Sequence, residues 1–279
     1  MFIQVPLKPG NINVSIMISS RSNPKIKNII KLQKGSERRK QGLVLIEGKR
    51  EIERALQAGW IVETLFVCHE LSENTFQQIE HQLNANCSIE EVSKEVFEHI
   101  AYREGSDGLL AISNPHSLHL SELKLPSNPL IVVLEAVEKP GNLGAILRTT
   151  DAAGVDAVII CDPLTDLYNP NTIRSSLGCI FSQQVVASDS KQVIEYLKEK
   201  KISIFCTALT ASTDYLQINY QKPSAIVMGT ESTGLSDHWL KASDQNILIE
   251  MRGIADSLNV SVSAAIVVFE AIRQRKAGI

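Results

Sequence analysis

What this sequence lacks excludes several classes of protein. Its 279 residues include only five cysteines, none in a Cys-x-x-Cys pair, so neither a disulfide framework nor a cysteine zinc site is expected. The longest apolar runs, such as Leu130–Leu134 and Ser263–Phe269, are far shorter than the roughly 20 residues of a membrane-spanning helix. The N-terminus has no basic head followed by an apolar core, which argues against a secretory signal. These absences predict a cytoplasmic protein with reduced thiols.

The common fingerprints of nucleotide-binding and hydrolytic enzymes are also missing. Gly229–Gly234 begins like a phosphate-binding loop, but Leu235-Ser236 stands where Lys-Ser/Thr is required. Gly141 and Gly144 do not complete a G-x-G-x-x-G motif. Neither G-x-S-x-G nor H-E-x-x-H occurs. The usual signatures of an ATPase, an NAD enzyme, a serine hydrolase and a metalloprotease are therefore absent, and no metal is predicted.

Neither sign of charge dominates the chain as a whole. The 28 Lys and Arg face 31 Asp and Glu, which leaves a net charge of −3. This average conceals three different regions: residues 1–54 carry +8, residues 55–125 carry −8, and residues 126–279 carry −3. The small net charge therefore does not exclude a nucleic-acid partner.

The basic side chains are concentrated near the N-terminus. Lys27, Lys31 and Lys34 follow at i, i+4 and i+7, which places them on one face of a predicted helix. A charge run is usually a solvated face, but its concentration at one end of a neutral-to-acidic chain favours contact with RNA phosphates. The predicted RNA-binding residues are Lys25, Lys27, Lys31, Lys34, Arg38 and Arg39.

The alternation of helical and strand patterns predicts two α/β units. The first is predicted over residues 20–114 and begins with a helix at Pro24–Lys34 that Asn23 caps. Residues 115–128, which contain two prolines, are predicted to be a linker. In the second unit, over residues 129–279, short apolar strands separated by helices predict a mostly parallel sheet covered on both faces.

Three segments of the second unit follow predicted strands directly: residues 135–148, 228–236 and 249–261. In open α/β sheets, ligands bind at the carboxyl ends of the strands. Each segment contains a short motif: Asn142-x-Gly144-x-x-x-Arg148, Gly229-x-Glu231-x-x-Gly234-Leu235-Ser236 and Ser257-Leu258-Asn259-Val260-Ser261.

These motifs resemble, in order and in approximate spacing, the three motifs of the SpoU (TrmH) family of RNA ribose methyltransferases. The resemblance extends from about residue 130 to residue 275, and three motifs in order are far more specific than one. The first unit resembles the small RNA-binding domain that many members carry, including its Asn23-Pro24 and Glu47-Gly48 pairs. One departure is Glu250, where the family usually has proline.

The resemblance implies a SPOUT fold, an α/β domain whose C-terminal chain threads a trefoil knot that holds S-adenosylmethionine. It also implies a homodimer with the active site shared between subunits. Two groups of residues are implied to bind the cofactor. Those in the second and third segments are Met228, Gly229, Gly234, Ile249, Met251, Ser257 and Leu258. Those at the end of another predicted strand are Thr207, Ala208 and Leu209.

The implied catalytic residues are Asn142, Arg148, Glu231, Ser257 and Asn259. The resemblance implies that Arg148 is the general base. Because a guanidinium is hard to deprotonate, we favour a cation that contacts the 2′-oxygen or an adjacent phosphate and stabilises the developing alkoxide. The alternative is a surface ion pair with Asp151 or a structural contact between subunits. Asn142 either orients the ribose or Arg148, or is a helix N-cap. Glu231 either holds reacting groups in place or is a surface residue of a glycine-rich turn. Ser257 and Asn259 reach the catalytic centre, while Ser257 alone also suits an N-cap.

The expected function is transfer of a methyl group from S-adenosylmethionine to a ribose 2′-hydroxyl of RNA. The additional N-terminal domain favours ribosomal RNA over tRNA, since it suggests a large folded target. The alternative from a different class is an RNA-binding protein without catalysis, such as a ribosome-assembly factor.

Overall fold

The computed structural model describes residues 17–209, 212–230 and 232–277, and the chain divides into two units between Pro115 and His116. Each unit has its own sheet. None of the helices within the described residues is long and apolar enough to cross a lipid bilayer.

The first unit has a four-stranded sheet in the order β1-β4-β2-β3. Strand β4 pairs antiparallel with both β1 and β2, while β2 and β3 are parallel. Its elements are α1 (Pro24–Leu32), α2 (Gly35–Gln41), β1 (Val44–Glu47), α3 (Lys49–Gln57), β2 (Val62–Val67), α4 (His69–Ser72), α5 (Thr75–Glu80), β3 (Ser88–Glu91), α6 (Lys94–Ile100) and β4 (Leu109–Ser113).

Helix α1 forms as predicted at its start, with the Asn23 side chain accepting a hydrogen bond from the Lys25 backbone N–H at 2.9 Å. Its apolar stripe, Ile26, Ile29 and Leu32, is buried in the core of the unit. The helix ends at Leu32, two residues before the predicted end, and α2 follows without having been predicted. A highly charged seven-residue segment has no apolar period from which to predict a helix.

The second unit has a seven-stranded sheet in the order β7-β6-β5-β10-β8-β11-β9, and every pairing in it is parallel. The continuous burial of β5, β6 and β10 means that both faces are covered. Its elements are β5 (Leu130–Glu135), α7 (Pro140–Ala153), β6 (Ala157–Cys161), α8 (Pro170–Ser175), α9 (Cys179–Ser182), β7 (Val185–Ser188), α10 (Ser190–Glu199), β8 (Ser203–Thr207), β9 (Thr213–Asp214), β10 (Ser224–Met228), α11 (Asp237–Ala242), β11 (Gln245–Leu248) and α12 (Val260–Ala277).

The predicted linker, 115–128, lies for most of its length on the second unit. Leu118 forms a parallel bridge with Val186, and the Lys124 backbone N–H donates to Gln184 Oε1 at 2.7 Å. Three leucines in the segment pack against the core of the unit: Leu120, Leu123 and Leu125. These leucines hold the segment against the second unit. The prediction of a linker rested on its prolines and did not take the leucines into account.

Candidate functional site

A cavity of about 390 Å³ lies at the carboxyl ends of three adjacent strands, β10, β8 and β11. The segment after each strand contributes to its wall because the strands are parallel and end at one edge of the sheet. The start of α12 contributes Val260, Ser263 and Val267 at positions i, i+3 and i+7, which share one helical face.

All ten predicted cofactor-binding residues line this single cavity. They come from β8 and its exit, from the loop after β10, and from the segment between β11 and α12: Thr207, Ala208, Leu209, Met228, Gly229, Gly234, Ile249, Met251, Ser257 and Leu258. Sequence reasoning did not include Asp256, the one ionisable residue in the wall among those that the structure describes. The feature of the sequence that could have identified Asp256 is its position directly before Ser257, the first residue of the third motif.

The loop after β10 closes on itself and leaves no room for a side chain at its start. Thr230 and Gly234 exchange backbone hydrogen bonds of 3.1 and 3.2 Å, and the Thr230 hydroxyl accepts from the Thr233 N–H at 3.0 Å. A Cβ on Gly229 would lie 2.3 Å from the carbonyl carbon of Gly234 and 2.6 Å from the nitrogen of Leu235. Glycine at 229 is therefore what permits this close approach of backbone to backbone.

Two of the predicted catalytic residues are in direct contact. The side-chain amide of Asn259 donates to Asn142 Oδ1 at 3.2 Å, although 117 residues separate them. Asn142 also lines a small cleft that shares Gly229, Thr230 and Val260 with the cavity wall. The asparagine pair therefore lies at the edge of the cavity.

Both predictions of an N-cap at this edge are wrong. Lys139 is the N-cap of α7, with Pro140 in its first turn, so Asn142 lies inside the helix. Helix α12 begins at Val260, and Asn259 Oδ1 accepts from the Ser261 N–H at 3.0 Å, so the capping residue is Asn259 rather than Ser257. Ser257 is left exposed at the cavity wall.

Arg148 does not line the cavity of its own chain. It is exposed on α7, about 9 Å along the helix axis from Asn142 at 1.5 Å per residue. Its side chain makes no ion pair or hydrogen bond with the residues that the structure describes, so the pairing with Asp151 does not form. Glu231 lies outside the described residues.

Gly144 of the first motif serves helix packing. A Cβ at this position would lie 1.9 Å from Ser175 Oγ and 2.6 Å from the Thr172 carbonyl oxygen, both on α8. The glycine thus allows α7 and α8 to approach closely, rather than exposing backbone to a ligand.

Cys206 lies beside the cavity residue Thr207, but its thiol is not suited to nucleophilic chemistry. Burial raises the pKa of the Cys206 thiol to about 12. A thiol with this pKa is protonated near neutral pH. Covalent catalysis by this cysteine is therefore not indicated.

Glu250, at the position where proline was expected, forms an ion pair across its own loop. Its Oε2 lies 3.1 Å from Arg252 Nη2, and both side chains are largely exposed. Ile249 and Met251, on either side of it, still line the cavity. The departure from the motif therefore does not remove these flanking residues from the wall.

The predicted RNA-binding residues of the first unit separate into two groups. Arg38 is 3% exposed and donates from Nη1 to the carbonyl oxygens of Leu32 and Gln33 at 2.7 and 2.9 Å. It ties the end of α1 to α2, so its prediction as an RNA contact is wrong. The other five are exposed. Lys25 is one of them and forms an ion pair with Glu90; the remaining four are Lys27, Lys31, Lys34 and Arg39.

Two family models match the chain, one in each unit. The SpoU rRNA Methylase family matches residues 129–269. The MRM3-like substrate binding domain matches residues 23–111.

Individual proteins agree with these matches. The chain is 32% identical over 252 residues to 23S rRNA (guanosine(2553)-2'-O)-methyltransferase RlmP of Bacillus subtilis, covering 90% of this chain and 97% of that protein. It is 40% identical over 153 residues to a tRNA (guanosine(18)-2'-O)-methyltransferase of Thermus thermophilus, covering 54% and 78%. An AdoMet-bound rRNA methyltransferase from Sinorhizobium meliloti superposes with a TM-score of 0.84 at 28% identity, covering 92% and 97%. The chain therefore belongs to the SpoU rRNA methylase family.

Proposed function

We propose that this protein transfers a methyl group from S-adenosylmethionine to a ribose 2′-hydroxyl of ribosomal RNA. The observation that carries the proposal is the convergence of the second and third motifs on one cavity, with the Asn142–Asn259 pair at its edge. Family membership supports the reaction type. The proposed units are an RNA-binding domain over 20–114 and a methyltransferase domain over 129–279, with 115–128 connecting them.

The cavity suits the proposed cofactor in size and in chemistry. Its volume of about 390 Å³ falls within the roughly 300–1,000 Å³ of small-molecule sites. Leucine, isoleucine and methionine side chains in the wall can contact an adenine ring, and the backbone of the lining glycines Gly229 and Gly234 has no side chain to keep a ligand away. The Asp256 carboxylate supplies negative charge for a cationic ligand that carries both an ammonium and a sulfonium group.

The chain's own residues have separate tasks in this proposal. The bound cofactor supplies the methyl group on its sulfonium. Asn142 and Asn259 orient the ribose, and Ser257 contacts the reacting groups from the cavity wall. Arg148 stabilises the negative charge that develops on the 2′-oxygen or contacts the adjacent phosphate, and Glu231 is proposed to hold reacting groups in place.

A homodimer is part of the proposal because the exposed Arg148 does not line the cavity of its own chain. The apolar side chains Val262 and Phe269 are exposed on α12. They are seven residues apart, which places them on the same face of the helix, and this face supplies a surface for a second copy. In such a dimer, Arg148 of one subunit would serve the cavity of the other. A trefoil knot around the cofactor and a cytoplasmic location also belong to the proposal.

Ribosomal RNA is preferred to tRNA because of how much of the chain each relative covers. The Bacillus rRNA methyltransferase matches over 90% of this chain, whereas the Thermus tRNA methyltransferase matches over 54%. A match over 90% of the chain must include most of the first unit, which carries the exposed basic residues, whereas a match over 54% need not. Recognition of the substrate by that unit is thus proposed to follow the rRNA enzymes.

Methyl transfer itself tests the proposal. Purified protein should transfer labelled methyl from S-adenosylmethionine to ribosomal RNA from cells that lack this gene, and mapping should place the label on a ribose 2′-oxygen. Binding of S-adenosylhomocysteine by calorimetry distinguishes the alternative. An RNA-binding assembly factor without catalysis would bind RNA but would neither bind this product nor label any RNA.

Substitution of Gly229 by alanine is expected to weaken S-adenosylhomocysteine binding at least about tenfold, since overpacking costs roughly 1–3 kcal/mol and here it must move the backbone of the cavity wall. The measurement is the dissociation constant from calorimetry. Gly253→Ala is the matched control, because a Cβ there meets nothing within 4 Å. Equal affinities for the two variants would contradict the assigned role of Gly229.

Charge reversal of Lys27, Lys31 and Arg39 together is expected to weaken RNA binding and to flatten its salt dependence. The slope of log K against log salt is negative, and each lost phosphate contact reduces its magnitude by about 0.7–0.9. The control is reversal of Lys191, Lys198 and Lys201, which are also exposed but lie in the second unit. An unchanged slope in the first triple variant would exclude this surface as the phosphate footprint.

A further inference from the structure

A buried carboxylate lies behind the loop that forms one wall of the cavity. Glu135 is the last residue of β5 and is only 8% exposed. Its Oε2 accepts a hydrogen bond from the Ser236 backbone N–H at 2.8 Å. Ser236 directly follows Gly234 and Leu235, which both line the cavity. We propose that Glu135 is a positioning residue for cofactor binding, an inference that rests on the proposed function.

The loop needs an anchor where it leaves the cavity. At its start it continues from β10, which the sheet holds on both sides. The hydrogen bonds between Thr230 and Gly234 link the loop to itself. The bond from Ser236 to Glu135 instead links the end of the loop to the neighbouring strand, β5. The described residues of the loop, 229–230 and 232–235, are thereby held between two adjacent strands.

A second contact supports this anchor from α11, which begins after Ser236. The indole Nε1 of the fully buried Trp239 donates to Ser190 Oγ at 2.9 Å. The same hydroxyl lies 2.6 Å from Asp162 Oδ2 and 3.5 Å from Glu135 Oε1. Because this hydroxyl has one proton and Asp162 is much the nearer acceptor, the Ser236 N–H is the principal donor to Glu135, while Trp239 holds the start of α11 against Ser190 beside it.

The presence of a buried carboxylate at the end of an apolar strand requires an explanation, because an apolar side chain would fill the same space at lower cost. Burying a charge costs free energy unless hydrogen bonds compensate it, and the neighbouring side chains of β5 are apolar. A carboxylate that accepts from a backbone N–H makes a stronger, shorter bond than a neutral acceptor does. Fixing Ser236, and with it the cavity wall, is the local effect that this side chain can produce.

Three variants test the inference through the dissociation constant of S-adenosylhomocysteine, measured below each melting temperature. Glu135→Gln keeps an acceptor oxygen and is expected to stay within about threefold of wild type. Glu135→Ala leaves the Ser236 N–H unpaired and is expected to bind at least about tenfold more weakly. Ser236→Pro deletes the N–H at a residue whose φ of −67° suits proline, and it should match the alanine variant.

Controls separate positioning from general destabilisation. Thr150→Val removes a buried hydroxyl bonded to Gln183, away from the cavity wall, and should lower the melting temperature without changing affinity. The double variant Glu135→Ala/Ser236→Pro should lose no more affinity than either single variant, because both remove the same bond. Saturating S-adenosylmethionine should restore most of the methylation rate of Glu135→Ala.

The outcomes distinguish this inference from the proposed function. If the wild-type protein does not bind S-adenosylhomocysteine, the proposed function fails. If the wild type binds and Ser236→Pro and Glu135→Ala retain its affinity, Glu135 is not a positioning residue. Additive losses in the double variant would likewise overturn the inference, and Ser236→Pro decides the question alone if Glu135→Ala does not fold.

Discussion

Arg148→Ala is expected to lower the rate of methyl transfer about 10³-fold, the upper part of the range for removal of one group that stabilises a developing oxyanion. Affinity for S-adenosylhomocysteine should stay within about twofold, since Arg148 is proposed to act on the 2′-oxygen or phosphate of the RNA and not on the cofactor. Single-turnover methylation of ribosomal RNA, with calorimetry of the same preparation, measures both quantities.

Two further variants sharpen this expectation. Arg148→Lys keeps the positive charge but loses the planar guanidinium fork, so it should recover only part of the rate if geometry as well as charge is required. Lys198→Ala removes an exposed cation from another helix of the same unit and should leave the rate unchanged. Full activity of Arg148→Ala would refute its catalytic role.

The shared active site can be tested with the same variant. Mixing Arg148→Ala with a variant defective in cofactor binding, such as Gly229→Ala, should restore activity in mixed dimers if each cavity uses the arginine of the other subunit. Such a dimer carries one intact combination of cavity and arginine. Absence of any recovery, with dimer exchange verified by mass spectrometry, would contradict the proposal of a shared site.

Arg275→Ala is expected to destabilise the second unit by about 3 kcal/mol, because hydrogen bonds from a charged donor contribute roughly 1.5–3 kcal/mol each and are not additive. The guanidinium donates to four backbone carbonyls at 2.7–3.0 Å: Asn128, Pro129, Tyr220 and Lys222. It thereby joins the end of α12 to the chain entering β5 and to the turn before β10. Desolvation lowers the pKa of Arg275, which shows that its surroundings are partly buried.

Calorimetric melting measures this effect. A loss of this size should lower the melting temperature of the second unit by about 6–12 °C, at 2–4 °C per kcal/mol for a unit of this length. Lys276→Ala removes the neighbouring positive charge from the same exposed helix end and should change little. Arg275→Lys should show most of the same decrease in melting temperature, since an ammonium group cannot donate to four separate carbonyls as the planar guanidinium does. An unchanged melting temperature in Arg275→Ala would contradict this account.

Local sequence signals predicted the regular elements well where they were strong. Short apolar runs predict strands at Leu130–Leu134, Ala157–Cys161 and Ser203–Thr207, and β5, β6 and β8 lie there. The capped start of α1 also lies where it was predicted. The short α9 and the two-residue β9 were not predicted, because neither is long enough to show a period. The mostly parallel sheet of the second unit is confirmed.

Single polar residues were harder to interpret from sequence than apolar patterns were. Arg38 has the same charge as Arg39, yet one is buried against carbonyl oxygens and the other is exposed. Likewise Ser257 and Asn259 are both good capping residues, and only the position at which α12 begins selects Asn259. Such choices depend on neighbours that are distant in sequence.

By itself, the sequence determined the class of protein: two α/β units, a basic N-terminal region, and three ordered motifs after strand ends. These features are local, since periodicity, composition and motif spacing require no knowledge of what packs against what. Only the tertiary structure decided that the ten residues predicted to bind the cofactor, spread from Thr207 to Leu258, share one cavity. It also revealed the Glu135–Ser236 bond and the four-carbonyl contact of Arg275, because hydrogen bonds between residues about 50 to 150 positions apart form only when the chain is folded.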